Sequence, residues 1–275
     1  MEEPRTLLNF AAAVLAFACM SLSPGKAQRV PTWELIVCAA QDNLPYSNSQ
    51  EQGFENEIIT LISQDLDATL TYVWLPKIEV ASQNQILLEE GRCDLFLDVG
   101  DNSDDFLTTI PYFQTTYYFV YREDAAFDIS SFDDEALASL RIGVITASPP
   151  DEALGIRNLA KNVRHYYPGP ASAEEQQIKD VVSGKLDVAV IFGPSAGKLA
   201  LERPDLKVVP VAPEVDLSGL LMVYQTAMGL RLADTDLRDL LNNSLARTWD
   251  EIQSVLESYN IPVLPLPKPI ISVGG

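Results

Sequence analysis

The segment that most resembles a catalytic motif is a GxSxG pattern formed by Gly193, Ser195 and Gly197. In hydrolases this motif lies between a strand and a helix, and its serine needs a histidine later in the chain as base. The single histidine, His165, precedes Ser195. We therefore expect Ser195 to lie near the start of a helix and His165 to be a surface or hydrogen-bonded side chain.

An acidic loop is the second group of residues that could do chemistry. Its carboxylates could hold a hard cation through several oxygens, and they belong to Asp98, Asp101, Asp104 and Asp105. The loop lacks the glycine and terminal glutamate of the calcium-binding helix–loop–helix pattern, and the chain has no CxxC pattern. We expect a solvated loop and predict no metal ligand, no cofactor and no catalytic residue.

The stretch from Trp33 to Ile59 joins an apolar strand, a polar loop and an amphipathic helix. In an open parallel sheet such a loop lies at the carboxyl end of a strand, where ligands bind. Other strand ends and the segment that crosses between the two halves should face the same cleft. The residues predicted to line this cleft are Asp42, Asn43, Tyr46, Asn48, Asp98, Asp101, Tyr112, Gly193 and Pro194.

Strands and helices alternate along the rest of the chain, and the pattern restarts at Arg141. A helix is predicted over 152–161, and the apolar run 186–192 is typical of a buried parallel strand. The aromatic stretch 112–121 should turn half of its rings into the core and could turn the others towards the cleft. The pattern predicts an α/β protein of two lobes, each a mostly parallel sheet flanked by helices. Lobe 1 comprises 28–115 and 227–275, and lobe 2 is inserted at 116–226.

Composition limits the partners that the chain can have. Its 275 residues are 47% hydrophobic, which is enough for one large or two medium cores. The formal charge of −20 excludes nucleic acid, because phosphates would be repelled and no cluster of Lys and Arg offsets the excess. The negative charge either attracts a basic partner or only keeps the protein in solution.

Residues 1–27 are predicted to be a signal peptide, because their apolar run is too short to span a bilayer and is followed by small residues. Lipid attachment at Cys19 is the alternative. We expect export without stable membrane insertion, which would leave Cys38 and Cys93 in a compartment where thiols oxidise. These two cysteines are predicted to join neighbouring strands by a disulfide, and two buried thiols are the alternative.

Six short segments, taken in their order along the chain, carry a resemblance to one protein family. They are Asn43–Asn48, Gly53–Asn56, Gly91–Asp94, Thr108–Tyr112, Arg141–Val144 and Gly184–Pro194. With the cysteine pair, they cover nearly all of the chain after the leader. The chain resembles the quinoprotein-dehydrogenase-associated periplasmic solute-binding proteins, the family of the J proteins that accompany methanol dehydrogenase.

This resemblance implies a two-lobed type II periplasmic binding-protein fold and a periplasmic location. It implies an accessory protein, not an enzyme, that binds a PQQ-dependent methanol or alcohol dehydrogenase, with the cytochrome c of that enzyme as a further partner. Such a protein would aid the maturation or activity of the dehydrogenase. One alternative is the receptor of an ABC transporter for a small organic solute, and another is an enzyme on the same fold, such as a dehydratase.

The amino-acid receptors of the wider superfamily carry two features that this sequence lacks. Their Thr-x-x-Arg element holds a carboxylate with a bidentate arginine, whereas the corresponding loop at 101–105 contains no arginine. They also bind the ligand ammonium with an aspartate at the position where this chain has residues 192–194, Phe-Gly-Pro. We therefore expect no amino-acid ligand.

Overall fold

The structure, a computed structural model, describes residues 33–76, 86–101, 103–167 and 173–270. The signal peptide predicted at residues 1–27 lies outside these ranges, together with its alternative, the lipid attachment at Cys19.

We number the strands within the described residues in chain order. They are β1 (Trp33–Ala40), β2 (Asp42–Asn43), β3 (Ser47–Asn48), β4 (Ala68–Leu75), β5 (Leu95–Gly100), β6 (Leu107–Thr108), β7 (Phe113–Arg122), β8 (Ile142–Ile145), β9 (Val163–Tyr166), β10 (Val188–Phe192), β11 (Leu206–Pro210) and β12 (Val223–Leu230).

The helices are numbered in the same way. They are α1 (Phe54–Asp65), α2 (described over 86–89), α3 (Pro149–Ile156), α4 (Ala173–Val182), α5 (Gly193–Glu202), α6 (Thr235–Arg247) and α7 (Trp249–Ser258). Short 3-10 turns lie at Glu135–Ser139 and Ala160–Asn162. No helix in the described part of the chain is long and apolar enough to cross a membrane.

The large sheet has the order β4-β1-β5-β12-β7-β10-β8-β9, with β6 paired to β12 and β11 paired to β7. Its outer parts are parallel, since β1 pairs with β4 and β5 and β8 pairs with β9 and β10 in parallel. Between them, β12 and β7 run antiparallel to their neighbours and to each other. This α/β arrangement of mostly parallel strands with flanking helices confirms the predicted fold class. The residue boundaries of the two lobes stay a prediction.

Helices cover both faces of the sheet. One hydrophobic cluster joins α1, α6 and α7 to β1 and β5. A second joins α3 to β7, β8 and β10, and a third joins α4 and α5 to β7 and β10. The second and third clusters use alternate residues of β7 and β10, so these strands are buried on both faces.

The predicted disulfide is confirmed. Cys38 of β1 and Cys93, just before β5, are both buried and bonded, with their Cα atoms 5.7 Å apart. The bond lies where β1 and β5 run parallel, with Cys38 paired to Phe96 in the register. It therefore ties together the two strands whose carboxyl ends point to the loops of the predicted cleft.

The position of α3 corrects one prediction from the sequence. The helix begins at Pro149 and ends at Ile156, whereas a helix was predicted over 152–161. Ser148 caps it by accepting a hydrogen bond from the Asp151 amide, and a proline is favoured in the first turn because its missing N–H costs nothing there. The two prolines therefore begin the helix instead of preceding it.

Candidate functional site

A cavity of about 500 Å³ opens between the loop after β1 and the helices α4 and α5. The loop lines it with residues 42–45, α4 with residues that include Glu174, and α5 with residues that include Ser195. Two lysines in the wall form pairs within their helices, Lys179 with Glu175 at 4.0 Å and Lys198 with Glu202 at 3.8 Å. The cavity wall is therefore rich in charge of both signs.

Backbone contacts to α1 fix the loop that lines this cavity. The Phe54 amide donates a hydrogen bond to the Pro45 carbonyl at 2.9 Å, and the Glu55 amide donates to the Tyr46 carbonyl at 3.0 Å. A Cβ atom at Gly53 would overlap the carbonyl oxygen of Tyr46. Only glycine allows this approach, so residue 53 sets the place of the loop and buries the Tyr46 side chain.

Glu174 also belongs to a group of ionisable side chains that affect one another, which we name the tyrosine–carboxylate cluster. Its members come from the loop after β1, from α1 and α4, from β5, β7 and β12, and from the position just before β7. They are Tyr46, Glu55, Asp98, Tyr112, Tyr117, Glu174 and Tyr224. The fold thus brings residues 178 positions apart, from Tyr46 to Tyr224, into one electrostatic environment.

Asp98 is the centre of this cluster. Its charge helps to raise the pKa of Glu55 and of four tyrosines, Tyr46, Tyr112, Tyr117 and Tyr224. Burial, followed by the charge of Glu174, raises the pKa of Asp98 to about 6. Solvent still reaches the Asp98 side chain, so this carboxylate is accessible and at the same time closely surrounded by protein. Its backbone φ of 63° is a conformation that Asp and Asn adopt more readily than most residues.

Glu55 is the most enclosed acid of the cluster. Its side chain is 7% exposed, and Oε1 has no hydrogen-bond partner among the described residues. Burial first, and then the charge of Asp98, raises the pKa of Glu55 well above its usual range. The position in the first turn of α1 would favour the anion, but the cost of burial outweighs that benefit.

Ser195 connects the loop, α4 and α5. Its hydroxyl donates a hydrogen bond to Oε2 of Glu174 at 2.7 Å. Burial raises the pKa of Tyr46, with further contributions from Asp98, Glu174 and Glu55, while a hydrogen bond with Ser195 opposes the increase. Ser195 of α5 therefore connects Glu174 of α4 with Tyr46 of the loop.

Three half-buried rings stand beside the carboxylates, and we name Tyr117, Phe192 and Tyr224 the aromatic trio. The ring centroid of Phe192 lies 5.3 Å from that of Tyr117 and 5.6 Å from that of Tyr224. Burial raises the pKa of Tyr224 to about 12 and raises that of Tyr117 as well, so both hydroxyls are neutral at physiological pH. The trio offers neutral π faces next to Asp98.

The structure brings many of the residues predicted for the cleft to this region. Asp42 and Asn43 line the cavity, and Tyr46, Asp98 and Tyr112 belong to the cluster. Tyr112 is completely buried, and its hydroxyl has no hydrogen-bond partner in the described part of the chain.

The other predicted cleft residues have local contacts. The Asn48 side chain accepts hydrogen bonds from the amides of Gln50 and Gln52, which shapes the turn. The Asp101 carbonyl accepts a hydrogen bond from the Thr108 hydroxyl. Gly193 and Pro194 are buried at the start of α5, where a Cβ on Gly193 would overlap the Thr115 hydroxyl. These contacts hold the loops and α5 in place around the site.

Sequence reasoning did not identify several residues of the site. They are Glu55, Tyr117, Glu174, Phe192 and Tyr224. The alternation along 112–121 had suggested rings that face the cleft, and Tyr117, a ring of that stretch, is half-buried. No local signal identified the others, because β10 and β12 come to Tyr117 only through pairing with β7.

The residues considered for catalysis make structural contacts. Ser195 lies within the first turn of α5, as expected. Nε2 of His165 lies 2.9 Å from Asp151 Oδ1, on α3, so the histidine has a partner other than Ser195. Among the described residues, no group of three or more His, Cys, Asp or Glu side chains could hold a metal ion.

Comparisons with known proteins identify similar chains, although no family model matches this one. Protein MoxJ of Methylorubrum extorquens is 27% identical over 250 residues, covering 84% of this chain and 82% of that protein. Protein MoxJ of Paracoccus denitrificans is 26% identical over 280 residues, covering 95% and 98%.

Solved structures of similarly named proteins also match the chain. MxaJ from Methlophaga aminisulfidivorans superposes with a TM-score of 0.73 at 26% identity, covering 84% of this chain and all of that one. The periplasmic binding protein XoxJ from Methylobacterium extorquens gives 0.69 at 28% identity, with the same coverage of 84% and 100%. An ancestral cationic amino acid solute binding protein, 16% identical with a TM-score of 0.65, shares the fold alone.

The fold and the cleft define the chain as a periplasmic binding protein in class, which indicates a periplasmic protein. Within that class, the chain is similar along most of its length to the MoxJ proteins.

Proposed function

We propose that this chain is an accessory protein, without catalytic activity of its own, that binds a PQQ-dependent methanol or alcohol dehydrogenase in the periplasm. In this role it aids maturation or activity of the dehydrogenase, after residues 1–27 have been removed as a signal peptide. The observation that carries the proposal is the similarity to MoxJ proteins along almost the whole chain. The cytochrome c of the dehydrogenase is a further partner within the same proposal.

The chemistry of the cleft supports a departure from amino-acid transport. Acidic groups and burial raise the pKa of Tyr46, Glu55 and Asp98, and no described lysine or arginine contributes to these shifts. An amino-acid receptor needs a cation near the ligand carboxylate. The tyrosine–carboxylate cluster would instead repel that carboxylate, and the two lysines of the cavity wall, Lys179 and Lys198, are paired with glutamates of their own helices.

The contacts of Ser195 and His165 support the absence of hydrolytic activity. The serine of a GxSxG motif needs a histidine within hydrogen-bond reach as its base. The Ser195 hydroxyl donates a hydrogen bond to Glu174, whereas the described histidine contacts Asp151. The hydrogen bond between Ser195 and Glu174 joins α5 to α4, which is a structural role.

Charge supports an encounter with a basic surface on the dehydrogenase. The chain has a formal charge of −20, and charge complementarity acts mainly by increasing the association rate, an effect that salt reduces. We propose that the cavity between the loop and helices α4 and α5 faces the partner. Its exposed Asp42 then lies within the contact.

The experiment is biolayer interferometry with purified dehydrogenase, both apo and loaded with its cofactor, over a salt series. Asp42→Lys should weaken binding about tenfold, with a faster dissociation, because an interface charge is reversed. Glu251→Lys is the matched control, since it makes the same change of charge at an exposed position of α7 outside the cavity wall. The control should lower only the association rate, by about twofold.

Two results would contradict the proposal. The first is no binding at low salt to either form of the dehydrogenase. The second is an equal effect of Asp42→Lys and Glu251→Lys on the dissociation rate, which would refute the proposal that the cavity faces the dehydrogenase. Alanine substitutions at Tyr46 or Tyr112 are unsuitable for this test, because both side chains are buried and their loss would leave cavities.

The receptor of an ABC transporter for a small organic solute is the second candidate. The cavity of about 500 Å³ favours it, since this volume suits a small molecule. If dehydrogenase binding is absent and uptake of a solute by intact cells depends on this chain, the receptor becomes the better account.

A further inference from the structure

Residues 212–222 leave the large sheet between β11 and β12, and we name them the apolar hairpin. β11 ends at Pro210 opposite Tyr118 of β7, and β12 begins at Val223 opposite Thr116 of the same strand. Both strands run antiparallel to β7, so the hairpin returns the chain almost to the point at which it left the sheet. Strand pairing therefore does not explain why these residues are present.

Two sets of contacts fix the apolar hairpin in place. The Asp216 carboxylate is buried and accepts hydrogen bonds from the amides of Ser218 at 2.9 Å and Leu220 at 3.0 Å, which shapes the turn. The same carboxylate pairs at 2.8 Å with Arg157, which follows α3 and also pairs with Asp133. Hydrogen-bonded ion pairs of this kind have a defined geometry. The hairpin is therefore held in one position, and little conformational entropy would be lost when a partner binds it.

Three apolar side chains lie on the outside of the apolar hairpin. Val215, Leu217 and Leu221 are 49%, 79% and 63% exposed. Val215 and Leu221 are partners in a β-bridge, so their side chains lie on the same face, and Leu217 lies in the turn between them. Scattered exposed leucines are common on protein surfaces, whereas a group of exposed apolar residues on one fixed element indicates an interaction site.

Charge limits what can cover these side chains. The exposed Glu214 is next to Val215, and Arg157 at the base of the hairpin is already paired with two carboxylates. A second copy of the chain carries the same formal charge of −20 and would be repelled, as would anionic lipid headgroups. The observations therefore favour a protein whose apolar pocket is bordered by Lys and Arg.

We propose that the apolar hairpin inserts Leu217 into an apolar pocket, bordered by basic residues, on the dehydrogenase that is the proposed partner. Val215 and Leu221 contact the wall of that pocket, and Glu214 faces its basic border. Three side chains are far fewer than the roughly 20 to 30 residues that each side of a standard interface contributes, so the hairpin is one anchor within a larger contact. The inference rests on the proposed function, but it does not depend on whether the cavity also faces the dehydrogenase.

The test is biolayer interferometry of the mature protein and its variants with purified dehydrogenase, both apo and loaded with its cofactor, at low and at high salt. Leu217→Asn should raise the dissociation rate about tenfold or more at both salt concentrations, because a polar amide would enter an apolar pocket. The association rate should stay the same as that of wild type, since the substitution leaves the net charge unchanged.

Leu232→Asn is the matched control, because it makes the same substitution at an exposed leucine outside the hairpin. Leu232 is 63% exposed and lies beyond the opposite end of β12, about 25 Å from the hairpin at about 3.3 Å for each residue of the strand. The control should change the dissociation rate by less than about twofold. Leu217→Met keeps the apolar character and similar volume of the side chain, so it should bind within about threefold of wild type.

Four results would overturn the proposal. Two of them are equal dissociation rates of wild type and Leu217→Asn, and equal effects of Leu217→Asn and Leu232→Asn. The other two are a dimer of the chain alone in light scattering, or binding to vesicles of phosphatidylethanolamine and phosphatidylglycerol, if Leu217→Asn abolishes it, because a second copy or a membrane would then cover the hairpin. If wild type binds neither form of the dehydrogenase, the proposed function fails as well, whereas binding that Leu217→Asn does not change refutes the role of the hairpin alone.

Discussion

Replacing Asp98 with Asn should stabilise the protein at pH 8 and change its stability little at pH 4.5. Burial and the charge of Glu174 raise the pKa of Asp98 from its usual 3.8 to about 6. The folded protein therefore retains a proton that the unfolded chain releases as the pH rises from about 4 to 6. The free energy of unfolding of wild type therefore decreases as the pH rises through that window. Above the window, the destabilisation by the ionised Asp98 carboxylate is complete.

The expected magnitude follows from the same difference. A pKa higher by about 2 corresponds to about 3 kcal/mol, at about 1.4 kcal/mol for each pKa unit. Because solvent reaches the Asp98 side chain, screening lowers this value, and we expect about 1 kcal/mol. Asparagine tolerates the positive φ of residue 98, so the substitution should add no backbone strain.

The assay is urea unfolding of wild type, Asp98→Asn and Asp104→Asn at several values between pH 4.5 and pH 8. The increase in the free energy of unfolding caused by Asp98→Asn should grow with pH and level off above about pH 6 to 7. Asp104→Asn controls for the change in net charge, since Asp104 is exposed in the same loop. A gain that is independent of pH, or equal for the two variants, would refute this account of the cluster.

Three further predictions concern the disulfide, the ligand and the loop. Denatured, unreduced protein should show no titratable thiol from Cys38 and Cys93. Replacing both cysteines by Ala should lower the free energy of unfolding by about 4 kcal/mol, because the disulfide closes a long loop. A loss well below about 1 kcal/mol would contradict this expectation. Amino acids at millimolar concentration should leave the unfolding temperature unchanged, whereas a true ligand at about a hundred times its Kd should add about 2.7 kcal/mol; a clear shift with any amino acid would show that the cleft holds a carboxylate. Gly53→Ala should lower the free energy of unfolding by about 2 kcal/mol or more, because its Cβ would overlap the Tyr46 carbonyl. Gly155→Ala is the control, since a Cβ there meets nothing within 4 Å, and it should be neutral or stabilising. Similar effects of the two changes in thermal unfolding would show that the loop can move to accept the Cβ.

The sequence predicted the fold well where the signal was local. The amphipathic helix predicted after the polar loop is α1, and its apolar side chains Phe54, Ile58, Ile59 and Ile62 are fully buried. The nearly continuous apolar run at 186–192 predicted the buried strand β10. The start of α3 was missed because two prolines were taken as a helix boundary, although the first turn of a helix accepts proline.

The site was less predictable, because its chemistry depends on long-range pairing. Asp98 was expected at the end of a strand and lies in β5, but its central role depends on tyrosines from β7 and β12 that only the sheet order brings near. The burial of Glu55 could not be predicted either. An acid in the first turn of a helix is ordinarily solvated, and the packing of the loop after β1 onto α1 encloses this one.

Light scattering on a mixture of the purified mature protein and the quinoprotein dehydrogenase tests the proposed function most directly. Both partners would be mixed at low salt, with the dehydrogenase first in its apo form and then loaded with its cofactor. The accessory role predicts a species in at least one mixture whose mass is the sum of the dehydrogenase and this chain, and which dissociates as salt is added. Two separate masses in both mixtures, at every salt concentration, would contradict it.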